Sequence, residues 1–369
     1  MLGTIKRLLD TDVGTFLSGP KQLLGLDVGS SSIKIVQLKE AKGRYVVQKF
    51  GMKSLDPGTI VDGAVMDPDK VVAAIKQLLK EHRIREKRVA TSISGHSVIV
   101  KKITLPAVAE EELDTQVKLA AEQYIPFDIN EVNLDFHVVN PSEQAEEGEP
   151  QMSLLLVAAK KEKVTELTDL VRRAGLTPMV IDVDAFAIEN MYDVNYNVSQ
   201  DEVIALVNIG ASVMNVNIVK GGTCVFTRDI SIGGNRYTEA IQQDLGAPFE
   251  EAEVAKRGDN RAKLDREGVM AALNNVNTEV ISEVANSIDY FRTTNLDGEI
   301  SKIVLCGGCA KTSGLPEQLS QRLNVPVEVA NPFAEIDISP LKIDPSAMDV
   351  VAPLAAVAVG LALRRLGDR

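Results

Sequence analysis

Two stretches of this chain resemble each other, and they lie almost half a chain length apart. The first is GLDVGSSSIKIVQL at residues 25–38, and the second is LVNIGASVMNVNIV at residues 206–219. Three pairs align at one offset of 181 residues: Asp27 with Asn208, Gly29 with Gly210, and Ser31 with Ser212. Self-similarity at a fixed distance is typical of repeated units. The repeat therefore predicts two related domains, each opening with a β-hairpin.

The residues at the hairpin tips favour phosphate binding. Glycine lets the backbone approach a ligand closely, and serine hydroxyls with free amides are the groups that cradle phosphate. A carboxylate such as Asp27 can hold a cation through water. Two such turns facing each other would clamp a phosphate chain. For the first stretch taken alone, an ordinary hairpin turn with Gly and Ser as turn formers is the alternative.

A third glycine motif, IVLCGGCAKTSG, occupies residues 303–314. It predicts a strand ending at Cys306, then Gly307 and Gly308, then a helix at 315–323. Ligands of open α/β sheets bind beyond the carboxyl ends of strands, so these glycines favour close approach of a base or ribose. The motif is not a P-loop, which requires glycine where Leu305 and Ala310 stand.

The cysteines and histidines give little support for a redox, zinc or hydrolase site. Cys306 and Cys309 form a C-x-x-C pair, which allows a redox pair or half a zinc site as the alternative interpretation; no second pair accompanies it. The three histidines are scattered, and no metal-hydrolase or serine-hydrolase motif includes them.

Composition narrows the class of protein. The 369 residues favour two or more domains, and a net charge of −12 with a pI near 5.0 disfavours nucleic acid as a main partner. Three cysteines give no disulfide framework, which suits a reducing cytoplasm. The first ten residues lack the pattern of a signal peptide. The longest apolar run, residues 352–363, is shorter than the roughly 20 residues needed to span a bilayer.

The glycine motifs resemble those of the actin-like ATPase superfamily, which includes actin, Hsp70, sugar kinases and the division protein FtsA. GLDVGSSSIK is similar to phosphate motif one, with Lys34 seven residues after Asp27 as in actin. LVNIGAS is similar to phosphate motif two, and LCGGCAKTSG to the adenosine motif. Residues 182–192 and 352–363 lie where the two connecting helices of that superfamily are expected.

A narrower resemblance is to the PilM family of type IV pilus assembly proteins. It rests on LGLDVGSSSIKIVQLK, on AEQYIPFDINEVNLDF at residues 121–136, and on the CGG strand near the C-terminus. The resemblance implies an α/β, actin-like two-domain fold with duplicated RNase H-like cores, a 1C-type βαββα insert and a helical 2B cap. Within the insert we expect strands near residues 132–139 and 152–159 and helices at 110–124 and 161–174.

The expected subdomain boundaries follow from this resemblance. They are a leader at 1–20, subdomain 1A at 21–100 with 182–205 and 350–369, subdomain 1C at 101–181, subdomain 2A at 206–235 and 291–349, and subdomain 2B at 236–290. The leader has apolar residues near helical spacing, so a membrane or partner contact, a helix packed on its own protein and a loose leader are its alternatives. The short C-terminal end RRLGDR disfavours FtsA-like membrane anchoring.

The resemblance also implies ATP and Mg²⁺ in the cleft between the domains. Asp27 would hold Mg²⁺ through water and Lys34 would meet the phosphates. The other residues expected to contact the nucleotide are Gly29, Ser30, Ser31, Ser32, Asn208, Gly210, Ala211, Ser212, Gly233, Gly234, Glu253, Lys256, Gly307, Gly308 and Cys309. A plain loop is the alternative for Gly233 and Gly234. A solvated charged face is the alternative for Glu253 and Lys256.

The implied function is that of an ATP-binding cytoplasmic assembly protein, peripheral to the inner membrane. It would bind the N-terminal cytoplasmic peptide of PilN in a groove between subdomains 1A and 1C, contact the membrane indirectly through PilN, form a ring, and meet the platform protein and motor ATPases. Tyr124 and Phe127 are expected either in the groove wall or in the core. Asn208 replaces the usual aspartate of motif two, so we expect at most a weak ATPase. An FtsA-like polymerising division protein and a sugar-kinase-type phosphotransferase are the alternatives.

Overall fold

Two mixed β-sheets form the centre of this molecule. The computed structural model describes residues 22–143, 150–259, 261–294 and 298–368, so the predicted leader lies outside the described residues. The strands are β1 (Leu24–Val28), β2 (Ser32–Ala41), β3 (Arg44–Ser54), β4 (Ile60–Val61), β5 (Ala64–Val65), β6 (Arg88–Ile93), β7 (Val98–Pro106), β8 (Val132–Glu143), β9 (Gln151–Lys160), β10 (Thr177–Val183), β11 (Val203–Ile209), β12 (Met214–Lys220), β13 (Thr223–Ile230), β14 (Lys302–Cys306), β15 (Val327–Val329) and β16 (Ile336–Asp337). The helices are α1 (Pro68–Glu81), α2 (Glu110–Tyr124), α3 (Lys161–Arg173), α4 (Asp184–Asn195), α5 (Gly234–Leu245), α6 (Phe249–Lys256), α7 (Arg266–Thr294), α8 (Leu315–Leu323), α9 (Pro345–Val351) and α10 (Ala356–Leu363).

The two sheets share one topology. The first has the order β10-β6-β1-β2-β3-β16, and the second has the order β13-β12-β11-β14-β15. In each, three antiparallel strands are followed by two strands that join in parallel, β6 and β10 in the first sheet and β14 and β15 in the second. Strand β16 extends the first sheet beside β3. This shared order confirms the duplication predicted from the repeat.

The duplication holds to the level of single residues. Asp27 pairs across the first hairpin with Lys34, and the residues 181 positions later, Asn208 and Asn215, pair across the second. The turns close with the same hydrogen bond, from Gly29 N to Ser32 O at 3.1 Å and from Gly210 N to Val213 O at 3.0 Å. Both tips therefore have the same backbone form but different side chains.

Helices α4 and α10 join the two sheets. One apolar core contains residues of both helices together with β2 of the first sheet and β11 and β14 of the second. The segment Pro345–Leu363 is long and apolar enough to cross a membrane, with a mean hydropathy of 1.9, but 67% of it is buried inside the protein. Every residue of α10 is buried. Its apolar character is thus explained by its place in the core.

The insert after β6 has its own small core. Strands β7, β9 and β8 form a three-stranded sheet covered by α2, around Ile103, Val117 and Leu154. The order β7, α2, β8, β9 and α3 matches the predicted βαββα unit, but the last helix packs outside the insert's own core. The buried Leu167 and Leu170 of α3 pack with α1 and the first sheet, because the apolar face of α3 continues that core. The subdomain boundaries themselves remain predictions.

Helices α5, α6 and α7 cover one face of the second sheet. They contribute Tyr237, Ala252 and Val280 to a core shared with β11 and β12. This agrees with the mainly helical character predicted for residues 236–290.

Candidate functional site

The tip of the first hairpin contains a buried ion pair. Lys34 Nζ donates to Asp27 Oδ2 at 2.8 Å, and the two side chains are only 11% and 12% exposed. Because the residues are directly opposite on β2 and β1, the pair follows from strand register. A Cβ built on Gly29 would lie 3.5 Å from Lys34 Nζ and 3.7 Å from Asp27 Oδ1. Gly29 therefore leaves both charged groups accessible to a ligand above the turn.

The tip of the second hairpin lacks this pair of charges. Asn208 and Asn215 take the places of Asp27 and Lys34. Asn208 Oδ1 accepts a weak hydrogen bond from Cys306 Sγ at 3.7 Å, and Asn215 Nδ2 donates to Thr227 Oγ1 at 3.2 Å and to Asp229 Oδ1. The two halves of the cleft thus differ in charge although their backbones match.

The predicted adenosine motif lies against the second hairpin. Gly307 has φ +89°, and a Cβ there would lie 2.6 Å from Asn208 Oδ1, so glycine is required by both conformation and space. Gly308 faces open space, with no atom within 4 Å of a built Cβ. Burial raises the pKa of both the Cys306 and the Cys309 thiols, so near neutral pH these cysteines are protonated and poor nucleophiles.

The turn before α5 joins the same site. Gly234 N donates to Gly210 O at 2.9 Å and Asn235 N donates to Ala211 O at 2.8 Å, which fixes the turn on phosphate motif two. A Cβ on Gly233 would lie 2.6 Å from Gly210 O. The structure therefore brings together two segments that are separated by about 20 residues in sequence.

Glu253 and Lys256 point into this turn. They form an ion pair with each other, and Lys256 Nζ also donates to Gly234 O at 3.1 Å and to Thr238 Oγ1 at 2.8 Å. Burial opposes ionisation of Glu253, but Lys256, Thr238 and Arg257 together outweigh it and hold the pKa of that carboxyl below its usual value. The pair is mostly buried, at 17% and 13% exposed, so the alternative of a solvated face is wrong.

An acidic side chain at the start of α4 was missed in the sequence. Asp184 is partly buried, and burial, then the negative charge of Asp27, raise its pKa to about 6, while hydrogen bonds from Ser92 and Ser94 oppose the rise. Asp229 of the second half also raises this pKa. The sequence signal was the position of Asp184 within the predicted connecting helix, next to the strand that ends at the cleft.

This donor set suits a hydrated cation. Asp27 is paired with Lys34, and the negative charge of Asp27 also raises the pKa of Asp184, so an added positive charge beside the two carboxyl groups would be favourable. Within the described residues no group of three His, Cys, Asp or Glu side chains is arranged to ligate a metal directly. Mg²⁺ commonly keeps several waters and binds through substrate phosphates, which fits the predicted water-mediated role of Asp27.

Two contacts connect the halves across the cleft. Gly95 N donates to Asp229 Oδ2, and His96 Nε2 lies 2.7 Å from Ser231 Oγ. We call these four residues the interdomain bridge. It joins the loop between β6 and β7, at the base of the insert, to the end of β13.

An open cleft of about 410 Å³ lies in the insert, between β7 and the end of α2. Ile99, Lys101, Tyr124 and Pro126 line it. Tyr124 and Phe127 also pack against the insert's core. Lys101 Nζ lies 5.7 Å from the Tyr124 ring centre and Lys160 Nζ lies 4.4 Å from that of Phe127. Tyr124 therefore packs against the insert's core and also lines this cleft, while its place in a peptide groove stays a prediction.

Comparison with known proteins identifies the family. The model of the family described as type IV pilus assembly protein PilM matches residues 25–366. The chain belongs to the PilM family. A solved structure of a PilM–PilN type IV pilus biogenesis complex contains a chain 30% identical, with a TM-score of 0.83, over 95% of this chain and 100% of that one.

The PilM fold has a more distant relative as well. The ethanolamine utilization protein EutJ from Carboxydothermus hydrogenoformans is 17% identical, with a TM-score of 0.57, over 94% of this chain and 90% of that one. These likenesses confirm the predicted α/β, actin-like fold. The PilM-family resemblance drawn from the hairpin, AEQYIPF and CGG motifs is confirmed with it.

Proposed function

We propose that this PilM-family chain is an ATP-binding assembly protein of the type IV pilus machine, and that it binds the N-terminal cytoplasmic peptide of PilN. The observation that supports nucleotide binding most is that the turn at Gly233 and Gly234 and the glycine turn after β14 both pack on the second hairpin tip. Asp27 of the matching first tip and Asp229 of the second half both act on the carboxyl group of Asp184, so the two halves meet at this place. Family membership supports the place in pilus assembly.

The nucleotide would be held by groups of both halves. The amides and hydroxyls of residues 30–32 and 210–212 would contact the phosphates, with Lys34 beside them. Gly307, Gly308 and Cys309 would flank the adenosine, and the buried pair Glu253–Lys256 would meet its ribose. Bound Mg²⁺ would neutralise phosphate charge, with Asp27 holding its water shell. The amide side chain of Asn208 supplies no negative charge, so weak hydrolysis is expected.

The peptide would occupy the cleft beside Tyr124. The related chain in the solved complex is bound to PilN, and an open cleft with an aromatic side chain and apolar neighbours is the kind of surface that takes an extended peptide. Binding to PilN would place the protein at the cytoplasmic side of the inner membrane, within a ring near the platform protein and the motor ATPases.

Calorimetric titration of the full chain tests both parts. ATP with Mg²⁺ and a synthetic PilN N-terminal peptide should each bind the wild-type protein. Gly29→Val should abolish ATP binding and leave the far-UV circular dichroism unchanged, because its side chain would occupy the space beside Lys34 and Asp27. Tyr124→Ala should weaken binding of the peptide and leave the affinity for ATP within about threefold of the wild-type value.

The two variants control for each other, since each should lose one ligand and keep the other. Unchanged ATP affinity in Gly29→Val would remove motif one from the site. Full peptide affinity in a folded Tyr124→Ala protein would remove this cleft from the proposal.

A further inference from the structure

A row of four side chains crosses the second sheet. Strand register places Cys306, Asn208, Asn215 and Asp229 next to one another on the neighbouring strands β14, β11, β12 and β13. Hydrogen bonds join the first two and the last two of them. The row begins beside Gly307, in the candidate nucleotide site, and ends at Asp229, at the edge of the sheet.

The row continues into the other half of the protein through the interdomain bridge. The Asp229 carboxylate accepts hydrogen bonds from Asn215 Nδ2 of its own sheet and from Gly95 N of the facing loop. Hydrogen bonds to an ionised acceptor are stronger than neutral ones. Gly95 has φ +81°, a conformation that favours glycine, so the loop has a defined shape. Any separation of the halves at this point must break the bond between Asp229 and Gly95.

The same loop is attached to the cleft in the insert. Val98 N donates to Gly95 O at 3.0 Å, and β7 then continues to Ile99 and Lys101, which line the cleft. On the other side, Lys160 N donates to Ser97 O at 2.9 Å. The position of the loop therefore determines where β7 and the start of α3 lie relative to the cleft.

We propose that Asp229 couples the nucleotide site to the peptide cleft: closure of the two halves forms the interdomain bridge, and the bridge holds β7 in the position that accepts the peptide. This inference rests on the proposed function and specifies its regulation. A nucleotide that contacts both halves binds the closed state better, and a ligand shifts an equilibrium by its difference in affinity for the two states. Nucleotide should therefore raise the affinity for the peptide.

The coupling is measured as a ratio of affinities. The dissociation constant of a fluorescently labelled PilN N-terminal peptide is determined for the full chain without nucleotide and with a saturating non-hydrolysable ATP analogue and Mg²⁺. We expect about tenfold tighter binding with nucleotide, within the usual range of coupling between sites. By thermodynamic reciprocity, a saturating concentration of peptide should tighten binding of the ATP analogue by the same factor.

Substitution of a bridge residue should bring the ratio of peptide affinities with and without nucleotide close to one. In Asp229→Ala the affinity for the peptide should no longer depend on nucleotide, whatever the two absolute affinities are. Asp259→Ala, which removes an exposed carboxylate that pairs with Arg261 elsewhere in the second half, should keep the wild-type ratio. Should Asp229→Ala fail to fold, His96→Ala provides the test, because His96 is exposed and contributes the second bridge contact; it should lower the ratio at least threefold.

The possible failures are distinguishable. If the wild-type protein binds both ligands but its affinity for the peptide is the same with and without nucleotide, the coupling is disproved and the proposed function is unaffected. A folded Asp229→Ala protein with the wild-type ratio also overturns it. A wild-type protein that binds neither ligand overturns the proposed function and the coupling with it.

Discussion

The surroundings of Glu189 disfavour the ionised form of its carboxyl group. It lies on α4, where burial raises its pKa to about 8, Asp193 adds to the rise, and Asn217 opposes it. Within the described residues, neither Glu189 Oε2 nor Asn217 Oδ1 has a hydrogen-bond partner. Both atoms are acceptors while the carboxyl is ionised, and a proton on Glu189 supplies the missing donor. The structure therefore favours neutral Glu189 between the connecting helix and the second sheet.

The Glu189→Gln variant should consequently be more stable than wild type at pH 8. Below about pH 4.5 the carboxyl is protonated in the folded and the unfolded chain alike. Between pH 4.5 and 8 the unfolded chain releases the proton first, so wild-type stability falls as the pH rises. Chemical denaturation at several pH values should show a gain of a few kcal/mol at pH 8, with about 5 kcal/mol as the upper bound set by 1.4 kcal/mol per pKa unit.

Two further measurements control this prediction. Near pH 4.5 the Gln variant and wild type should agree within about 1 kcal/mol, because only about half of the unfolded chains have released the proton there, which contributes about 0.4 kcal/mol. Glu189→Ala should be less stable than Glu189→Gln at every pH, since it leaves Asn217 Oδ1 without a donor and a cavity beside it. A Gln variant less stable than wild type at pH 8 would contradict the neutral state.

Asn208 leads to a prediction about turnover. Phosphoryl transfer depends on positioning and charge, and the second hairpin tip offers amides where the first offers an ion pair. Purified protein should hydrolyse ATP well below the enzyme median of about 10 per second in a coupled phosphate-release assay. Asn208→Asp should retain ATP binding. Fast hydrolysis that survives Asp27→Ala would point to a contaminant, and fast hydrolysis that Asp27→Ala abolishes would disprove the prediction.

At the scale of elements, the closest packing is the crossing of α4 and α10. A Cβ built on Gly360 would lie 1.6 Å from Ala187 O, so α10 can pack here only through glycine. On the other side of α10, a Cβ on Gly25 of β1 would lie 2.3 Å from Ala358 O. Helix α10, which joins the two sheets, is thus held between two glycine contacts. Its small residues let the backbones of α4 and β1 approach it closely.

Gly360→Ala should lower the free energy of unfolding. In an exposed helix the same change gains about 1 kcal/mol from helix propensity, but overpacking at a backbone contact typically costs roughly 1–3 kcal/mol. Urea denaturation should therefore show a net loss. Gly268→Ala in α7 is the matched control, because the nearest atom to its Cβ is the end of the flexible Leu245 side chain; its effect should stay within about 1 kcal/mol. Equal effects of the two substitutions would disprove the packing argument.

At the scale of the whole molecule, the two halves share one core. Val36 of the first sheet, Leu206 of the second, and Val359 of α10 belong to the same buried cluster. The insert, by contrast, has a separate cluster of its own. Cooperative unfolding follows contiguous cores, so the halves should unfold together and the insert should open independently.

Hydrogen exchange measured at increasing urea concentrations tests whether the halves unfold together and the insert opens independently. Peptides from β2 and from β11 should exchange through one common transition, while peptides from α2 and β8 should exchange at lower urea. Gly360→Ala should move the common transition and leave that of the insert in place. Separate transitions for β2 and β11 would show that the shared core does not bind the halves into one unit.

The sequence by itself determined the local structure and the duplication. Helices α2 and α8 have the predicted bounds, because apolar periodicity and the residues at their ends act over a few positions. The repeat at offset 181 predicted two hairpins that match in register. Gly233 and Gly307, which the resemblance placed around the nucleotide, pack on the second hairpin tip. Their contact with the nucleotide stays a prediction.

Tertiary structure alone decided which distant groups meet. The bond between Gly95 and Asp229 spans 134 positions, and that between His96 and Ser231 spans 135. Helix α3 packs on the first sheet although it follows the insert in sequence. No local pattern encodes such contacts, because they depend on how two complete sheets are oriented about α4 and α10. The raised pKa values of the carboxyl groups of Asp184 and Glu189 arise only once that arrangement has partly removed these groups from water.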